Sequence, residues 1–375
     1  MAGVIALVSG INSSPAGNGP VGDEARLEIV ARADPALVHE CRDRSAAVID
    51  LDLRNPGSRP VRVEAVSVVY FAADRVLRTD RPGESFFGPG AAPRARKIRG
   101  RASIEWSGVC LDGIPPGADR VRLELNLSVR ARLARSPVMG LAEIRLRPAP
   151  SPRALTLPFE GYWLVTQGHG CRTNHRIGGF GGDYAWDFIH FSAAGHTVKD
   201  GYETSHRSAD SYSFGLPVLA PLDGTVIRVV GDVPDNEGLK EYPRRTLLED
   251  LEWPLWIFGN FVVMDVGEGA YVLMAHLQQG SITVKPGDRV VAGDPIARCG
   301  NSGNTVQPHL HLQVMDAPDP ASSGVRGLPA KFLNYREITY TGDEAHKDIL
   351  ARLVAEGDPP EDGIVVPVSS EEPKP

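Results

Sequence analysis

The feature that most constrains the fold is a strict alternation of apolar and polar residues over residues 120–133. Val121, Leu123, Leu125, Leu127, Val129, Ala131 and Leu133 alternate with Arg, Glu, Asn and Ser side chains. A period of two places one face of a β-strand in a core and the other in water. The segment 47–53 and a β-branched run at 61–70 flank an Asn-Pro-Gly turn. Residues 23–150 are therefore predicted to form an immunoglobulin-like β-sandwich.

The composition excludes several other classes of protein. Hydrophobic residues make up 42% of the 375 residues and charged residues 23%, which is typical of a globular protein with buried cores. The 40 Gly and 31 Pro would interrupt a coiled coil. Because no stretch approaches about 20 apolar residues, the sequence predicts no transmembrane segment. Residues 1–22 have no basic residue before a short apolar patch, so they are interpreted as a flexible leader without a clear signal peptide.

The charges are distributed unevenly between the two halves of the chain. Residues 1–150 contain 22 Lys and Arg against 17 Asp and Glu, whereas the remaining residues contain 18 against 30. This asymmetry, together with a Pro-rich segment at 149–158, indicates a domain boundary near residue 150. The predicted organisation is a leader at 1–22, a β-sandwich at 23–150, a second β domain at 151–345 and a C-terminal tail at 346–375. The absence of a concentrated basic stripe argues against a nucleic-acid partner.

Nine of the ten histidines lie beyond residue 168. In the segment 307–314, a strand would project His309, His311 and Gln313 from one face and send the intervening apolar residues into the core. His276 ends another apolar run, 271–277. Asp187 lies inside the aromatic segment 184–188, where a carboxylate is costly unless it is hydrogen-bonded, paired or bound to metal. The candidates for a chemical site are therefore Asp187, His276, His309 and His311.

Motifs in the second half resemble a lysostaphin-like (LytM-type) zinc endopeptidase domain over about residues 160–340. In chain order they are Gly161-Tyr162-Trp163, His175, Tyr184-Ala185-Trp186-Asp187-Phe188, Gly215-Leu216-Pro217, Gly259-Asn260-Phe261, Ala275-His276-Leu277, Lys285-Pro286-Gly287-Asp288, Gly300-Asn301-Ser302-Gly303-Asn304 and Pro308-His309-Leu310-His311. The resemblance implies an antiparallel β peptidase domain with an open groove. Together with the β-sandwich predicted before it, the whole chain is predicted to be all-β.

The resemblance also implies a site and a substrate. The metal ligands of the family fall on His175, Asp187 and His311, and its catalytic histidines fall on His276 and His309. The implied cofactor is Zn²⁺, the implied substrate is peptidoglycan or another peptide, and the implied location is periplasmic or secreted. Two imidazoles and one carboxylate are a sound zinc set that leaves the fourth position open.

The first ligand departs from the family pattern. Family members place this histidine only a few residues before the aspartate, whereas eleven residues that include four glycines separate His175 from Asp187. A Gly-rich loop of that length can fold back on itself. His169 and Asp183 remain competing candidates for the first ligand.

Several alternative functions compete with the peptidase hypothesis. The principal one is an inactive domain of the same fold that acts as a regulator or wall-binding adaptor. A biotinyl-type carrier would need a lysine at a symmetric hairpin, which Lys285 does not offer. Ser302 lacks the spacing of a nucleophile elbow. The four cysteines are too scattered for a disulfide scaffold, although Cys171 and Cys299 could pair or remain buried thiols.

Overall fold

The chain forms two compact units in the computed structural model, Met1–Pro150 and Ser151–Pro375. The structure describes residues 27–31, 35–41, 44–82, 96–130, 135–149, 153–168, 175, 180–192, 196–199, 207–238, 255–322, 324–341, 348–359 and 363–368. The predicted leader, 1–22, lies outside these ranges. Short 3-10 helices lie at Ser208–Asp210 and Leu255–Ile257. No helix among the described residues is long and apolar enough to cross a membrane.

In its described ranges the first unit contains nine strands that belong to one sheet. They are β1 Glu28–Ala31, β2 Ala36–Cys41, β3 Arg44–Asn55, β4 Val61–Ala72, β5 Arg75–Asp80, β6 Lys97–Ile98, β7 Ala102–Asp112, β8 Arg120–Arg130 and β9 Arg135–Pro148. The strand order is β1-β3-β2-β9-β8-β4-β5, while β6 pairs with β4 and β7 with β3. All of these pairs are antiparallel except β2 with β9.

The alternating segment is the strand β8, which pairs with β4 and β9 over its whole length. Its apolar residues Val121, Leu123, Leu125 and Leu127 are buried and pack into a core with residues of β3, β4 and β7. Alternation therefore predicts this strand and its buried face correctly. The immunoglobulin-like arrangement of the strands stays a prediction.

The second unit is also built from strands. They are β10 Arg153–Leu155, β11 Trp163–Gln167, β12 Trp186–His190, β13 Pro217–Leu219, β14 Gly224–Val230, β15 Asn260–Asp265, β16 Tyr271–Leu277, β17 Arg289–Val290, β18 Pro295–Arg298, β19 Leu310–Met315, β20 Ala330–Thr341, β21 Asp348–Gly357 and β22 Ile364–Pro367. One sheet has the order β10-β20-β22-β11-β12-β19-β16-β15-β14-β17, with β21 beside β20, and β13 and β18 form a separate pair. The all-β prediction is confirmed.

Aromatic side chains of neighbouring strands pack together on one face of this sheet. Trp186 and Phe188 of β12 are fully buried, and the rings of both contact Phe332 of β20 edge to face. Such pairs stabilise a core by about 0.5–1.5 kcal/mol beyond the burial of their area. The alternation of β12 then turns Asp187 and Ile189 to the opposite face, where both line a cavity.

Two segments in which no strand was predicted contribute strands to the large sheet of the second unit. Residues 346–375, predicted as a tail, include β21 and β22, and β21 pairs with β20 through nine residue pairs. The Pro-rich segment 149–158 includes β10, which pairs in parallel with β20. In β22 the buried residue Val365 lies opposite Trp163 of β11, and both belong to the apolar core of the unit.

The cysteines do not behave as one group. Cys110 on β7 is disulfide-bonded, whereas Cys299 is a free and buried thiol. The suggested pairing of Cys171 with Cys299 is therefore wrong, and the alternative of a buried thiol holds for Cys299. Burial raises the pKa of the Cys299 thiol far above its ordinary range, so this side chain stays protonated.

Candidate metal centre

The candidate site is built on a row of residues that crosses four neighbouring strands. Asp187 of β12 lies opposite Gln167 of β11 on one side and opposite His311 of β19 on the other. His311 in turn lies opposite Ala275 of β16, the residue before His276. Directly opposed residues have Cβ atoms about 4.5–5.5 Å apart, so the register alone brings distant parts of the chain together.

The alternation in β19 fixes which side chains face the site. Leu310, Leu312 and Val314 are fully buried in the main core of the unit. His311 and Gln313 consequently lie on the other face, and both line the cavity. This arrangement agrees with the prediction from the sequence pattern.

The structure brings His175, Asp187 and His311 together. The Nε2 atom of His175 is 3.0 Å from Oδ2 of Asp187, and Nδ1 of His311 is 3.0 Å from Oδ1. One donor atom from each residue lies within 4.8 Å of the others. Gln167 donates from Nε2 to Oδ2 of Asp187 at 3.2 Å, which helps to orient the carboxylate.

The protonation of His311 shows why this cluster fits a cation. Nε2 of His311 is 3.0 Å from Oε1 of Gln313, whose own Nε2 donates to the carbonyl oxygen of Phe180 at 2.8 Å. Because Phe180 offers only an acceptor, Oε1 must be the amide atom that faces His311, and His311 Nε2 must carry the hydrogen. In neutral His311, Nδ1 then presents a lone pair to a carboxylate oxygen. A cation between them would relieve that repulsion.

The donor set fits zinc in particular. Two imidazoles and one carboxylate are a ligand combination that catalytic zinc sites use, and they leave a fourth position open. His175 and His311 meet edge to face with ring centroids 4.8 Å apart, so their nitrogens converge on the same carboxylate. The prediction of Zn²⁺ as the cofactor is consistent with this chemistry. Buried His175 Nδ1 has no hydrogen-bond partner among the residues that the structure describes.

His309 and His276 lie beside the cluster, and their rings are 4.5 Å apart. Nδ1 of His309 contacts the carbonyl oxygen of Gln307 at 2.9 Å and the hydroxyl of Thr305 at 3.0 Å. The Thr305 hydroxyl donates to that same carbonyl, so both oxygens accept from His309 Nδ1. Nε2 of His309, which is 3.5 Å from Asp187 Oδ1, is therefore the nitrogen that can exchange a proton.

His276 is held in an unusual backbone conformation. Its φ is +59°, a value that only a few per cent of residues other than glycine adopt. The backbone N–H of His276 donates to the carbonyl of Phe258 at 3.0 Å, and its ring Nδ1 donates to the carbonyl of Ser302 at 2.9 Å. Side chains held by such strain cluster at functional sites, so the conformation supports a role for this residue.

Two glycines position the Ser302 carbonyl under His276. Gly259 has φ +60°, and a Cβ atom there would lie 2.3 Å from the Ser302 carbonyl carbon. Gly303 has φ +83°, and its Cβ would lie 2.4 Å from the nitrogen of Gly259. Only glycine permits this close approach of two backbones.

The electrostatics differ among the ionisable groups. Burial raises the pKa of Asp187, but the adjacent His175 and His309 outweigh it and hold that pKa well below its ordinary range. Burial and the neighbouring His309 lower the pKa of His276 well below 6.5. Burial likewise lowers the pKa of His311. For His309 the contact with Asp187 overcomes burial and raises the pKa.

The cluster opens into a cavity of about 660 Å³. Apolar and neutral polar side chains surround the five candidate residues: Thr166, Gln167, Phe180, Ile189, Ile257, Phe258, Asn304, Thr305, Val306, Gln307 and Gln313. The sequence pattern placed Gln313 on the correct face but assigned it no function. Gln167 and Thr305 were missed because a neutral side chain reveals its function only through its partner in space.

The structure also bears on the competing candidates. Asp183 accepts a hydrogen bond from the backbone N–H of Gly327 at 2.8 Å, whereas His169 lies outside the described residues. Ser302 is fully buried and its hydroxyl donates to the carbonyl of Leu277 at 2.7 Å, which agrees with its rejection as a nucleophile. Lys285 lies in a turn that Asp288 closes.

Residues 205–322 match the sequence profile of peptidase family M23. A protein of Haemophilus influenzae described as an uncharacterized metalloprotease is 30% identical over 109 residues. That alignment covers 29% of this chain and 18% of the relative, so the chain spans less than a fifth of the relative's length. The match to the family profile, residues 205–322, extends from the segment before β13 to beyond β19 and contains His276, His309 and His311.

Solved peptidases show weaker similarity. The catalytic domain of lysostaphin from Staphylococcus simulans is 21% identical, with 38% of this chain and 74% of that chain covered and a TM-score of 0.24. A zinc-containing peptidase from Vibrio cholerae is 14% identical, with 79% and 86% covered and a TM-score of 0.27. The similarity to peptidases therefore rests on the sequence match. The resemblance to the lysostaphin-like peptidases is confirmed by the match of residues 205–322 to peptidase family M23.

Proposed function

We propose that the second unit is a zinc-dependent endopeptidase that hydrolyses peptide bonds in bacterial cell-wall peptidoglycan. The observation that carries this proposal is the convergence of His175, Asp187 and His311 within 4.8 Å at an open cavity, with His276 and His309 alongside. The family match of residues 205–322 supports the same reaction class.

The three clustered residues would hold the metal ion. His175 would bind through Nε2, His311 through Nδ1, and Asp187 through its carboxylate, whose low pKa keeps it ionised. Zinc in such a site supplies Lewis acidity that polarises an amide carbonyl and acidifies water. The cavity beside the cluster gives an extended peptide access to this position.

His309 and His276 would handle the protons of the reaction. Each ring directs Nδ1 to a backbone carbonyl, so Nε2 is the nitrogen free for proton exchange. Hydrolysis of an amide needs one proton removed from water and one delivered to the leaving nitrogen. Either ring, when protonated, can also donate a hydrogen bond to the oxygen that gains negative charge.

A cell-wall substrate would place the protein outside the cytoplasm, in the periplasm or beyond the cell. The disulfide at Cys110 supports this location, because disulfides persist mainly in oxidising compartments.

The competing function is an inactive regulator or wall-binding adaptor. Such a domain could bind peptidoglycan without catalysing hydrolysis, and it would have no need of two polarised histidines next to the metal ligands. The presence of all five side chains at one cavity favours the enzyme.

Digestion of purified peptidoglycan tests the proposal. The parent protein is expected to release new amino groups, to lose this activity with a zinc chelator and to regain it when zinc is restored. A variant of an exposed histidine, His196→Gln, provides the matched control and should behave as the parent. Tight binding to the wall with no release of amino groups, in zinc-loaded protein, would favour the adaptor.

A further inference from the structure

The buried amide of Gln313 makes contacts that packing alone does not explain. This side chain is fully buried next to the metal centre. Its Oε1 is 3.0 Å from Nε2 of His311, and its Nε2 donates to the carbonyl of Phe180 at 2.8 Å. One amide therefore contacts a metal ligand on β19 and the segment that leads from His175 to Asp187.

The first contact determines which nitrogen of His311 is available. A neutral imidazole carries its hydrogen on one nitrogen, and a hydrogen bond from the other ring position decides which. Because Gln313 accepts from Nε2, the lone pair remains on Nδ1, the atom 3.0 Å from Asp187. Partners of this kind orient metal-binding histidines and raise the affinity for the metal.

The second contact holds the glycine-rich segment that makes the spacing between His175 and Asp187 unusual. Gly181 has φ +73°, and a Cβ atom there would lie 3.2 Å from Nε2 of Gln313 and 2.9 Å from Cβ of Met315. At Gly182 a Cβ would lie 3.2 Å from the carbonyl oxygen of His175 and 3.7 Å from Oε1 of Gln313. The two glycines let the segment approach Gln313 closely.

We propose that Gln313 is the positioning residue of the metal centre, which fixes the protonated nitrogen of His311 and ties the segment after His175 to β19. The inference rests on the proposed zinc site and deepens it. Gln313 itself does not bind the metal, because its oxygen and nitrogen are both engaged with His311 and Phe180.

Three variants separate the two contacts. Gln313→Met keeps the size of the side chain and removes both hydrogen bonds. Gln313→Glu keeps an acceptor for His311 but turns a carboxylate oxygen toward the Phe180 carbonyl. Gly181→Ala leaves Gln313 in place and forces the segment away from it. Gln279→Met is the matched control, because this exposed glutamine also donates its amide to a backbone carbonyl, that of Asp232, outside the cavity.

The test measures zinc affinity by competition with a chelator and the ring-nitrogen shifts of His311 by ¹⁵N NMR in metal-free protein at alkaline pH. Gln313→Met is expected to lose about 10–100-fold in zinc affinity. In this variant His311 should populate both neutral tautomers, with the hydrogen on Nδ1 or on Nε2. Gln313→Glu should keep the His311 tautomer of the parent and bind zinc more tightly than Gln313→Met does. Gly181→Ala should bind zinc more weakly than the parent, with the His311 tautomer unchanged.

The inference is overturned if Gln313→Met binds zinc as the parent does, or if its His311 signals are unchanged. If Gln313→Met does not fold, the zinc affinities of Gln313→Glu and Gly181→Ala test the inference instead, and zinc binding equal to that of the parent in both variants overturns it. Parent protein that binds zinc without digesting peptidoglycan would overturn the proposed function alone. A parent that binds no zinc would overturn the metal site, and the NMR measurement would then decide whether Gln313 controls His311.

Discussion

The rings of His276 and His309 lie 4.5 Å apart, centroid to centroid, at an interplanar angle of 49°. Their surroundings push their pKa values in opposite directions. Burial and the nearby His309 lower the pKa of His276, while contact with Asp187 overcomes burial and raises the pKa of His309. In the metal-free protein the positive charge is therefore expected on His309 rather than on His276 near pH 6.5.

This asymmetry predicts the order of titration in the metal-free protein. His309 should lose its proton above the ordinary value of 6.5, whereas His276 should remain neutral until the pH falls well below 6.5. Ring-nitrogen NMR titration of the apoprotein measures both. A His276 ring that becomes protonated at higher pH than His309 would contradict the geometry described for the pair.

The lowered pKa of His276 also predicts how stability changes with pH. Below pH 6.5 the unfolded chain binds a proton at His276 that the folded protein does not bind, so the free energy of unfolding falls as the pH decreases. His309 contributes the opposite dependence, since its stabilisation is present at low pH and is lost as the pH rises through its raised pKa. Chemical denaturation of apoprotein should therefore show a smaller loss of stability on acidification in His276→Gln than in the parent. Equal losses would show that His276 is accessible to protons in the folded state.

The His309→Gln variant should separate catalysis from metal binding. A general acid–base group typically contributes about 10²–10⁴-fold to the rate, so peptidoglycan digestion should fall by that factor. Zinc content should stay at the level of the parent, because His309 is not among the three clustered candidate ligands. Quantitative metal analysis and an amine-release assay measure the two effects. Loss of zinc together with activity would instead assign His309 to the metal.

The approach of Gly259 to Ser302 predicts a costly substitution. An alanine at Gly259 would adopt φ +60° and place Cβ 2.3 Å from the Ser302 carbonyl carbon. Gly280 is the matched control, because it also has a positive φ, +67°, but its Cβ would meet no atom within 4 Å. Gly280→Ala should cost about 1–2 kcal/mol of unfolding free energy for the backbone conformation. Gly259→Ala should cost about 1–3 kcal/mol more for the steric overlap, measured by denaturation. Equal costs would contradict the close approach.

Strands with regular alternation were predictable from the sequence. The burial of Leu310, Leu312 and Val314 follows from the period of two in residues 307–314, and so does the common face of His311 and Gln313. The aspartate inside an aromatic run was also a reliable signal of a site, because a buried carboxylate requires partners. These patterns are local, and a local pattern predicts the orientation of side chains well when one face of the strand is buried.

The remainder depended on contacts between distant segments. The pairing of β21 with β20 and the position of β22 beside β11 arise from tertiary contacts that residues 346–375 do not reveal by themselves. The positive φ of His276 follows from its contacts with Phe258 and Ser302, on two other segments. Gln313 is an ordinary polar strand residue in the sequence, and its significance appears only when both atoms of its amide have identified partners.

We expect His175, Asp187 and His311 to bind one zinc ion that hydrolysis requires. Metal analysis of the parent and of His311→Ala, combined with peptidoglycan digestion by both, measures the two properties together. One zinc per chain and measurable digestion are expected for the parent, with both lost in a folded His311→Ala protein. Undiminished digestion by a zinc-free His311→Ala protein would show that hydrolysis does not need this metal site.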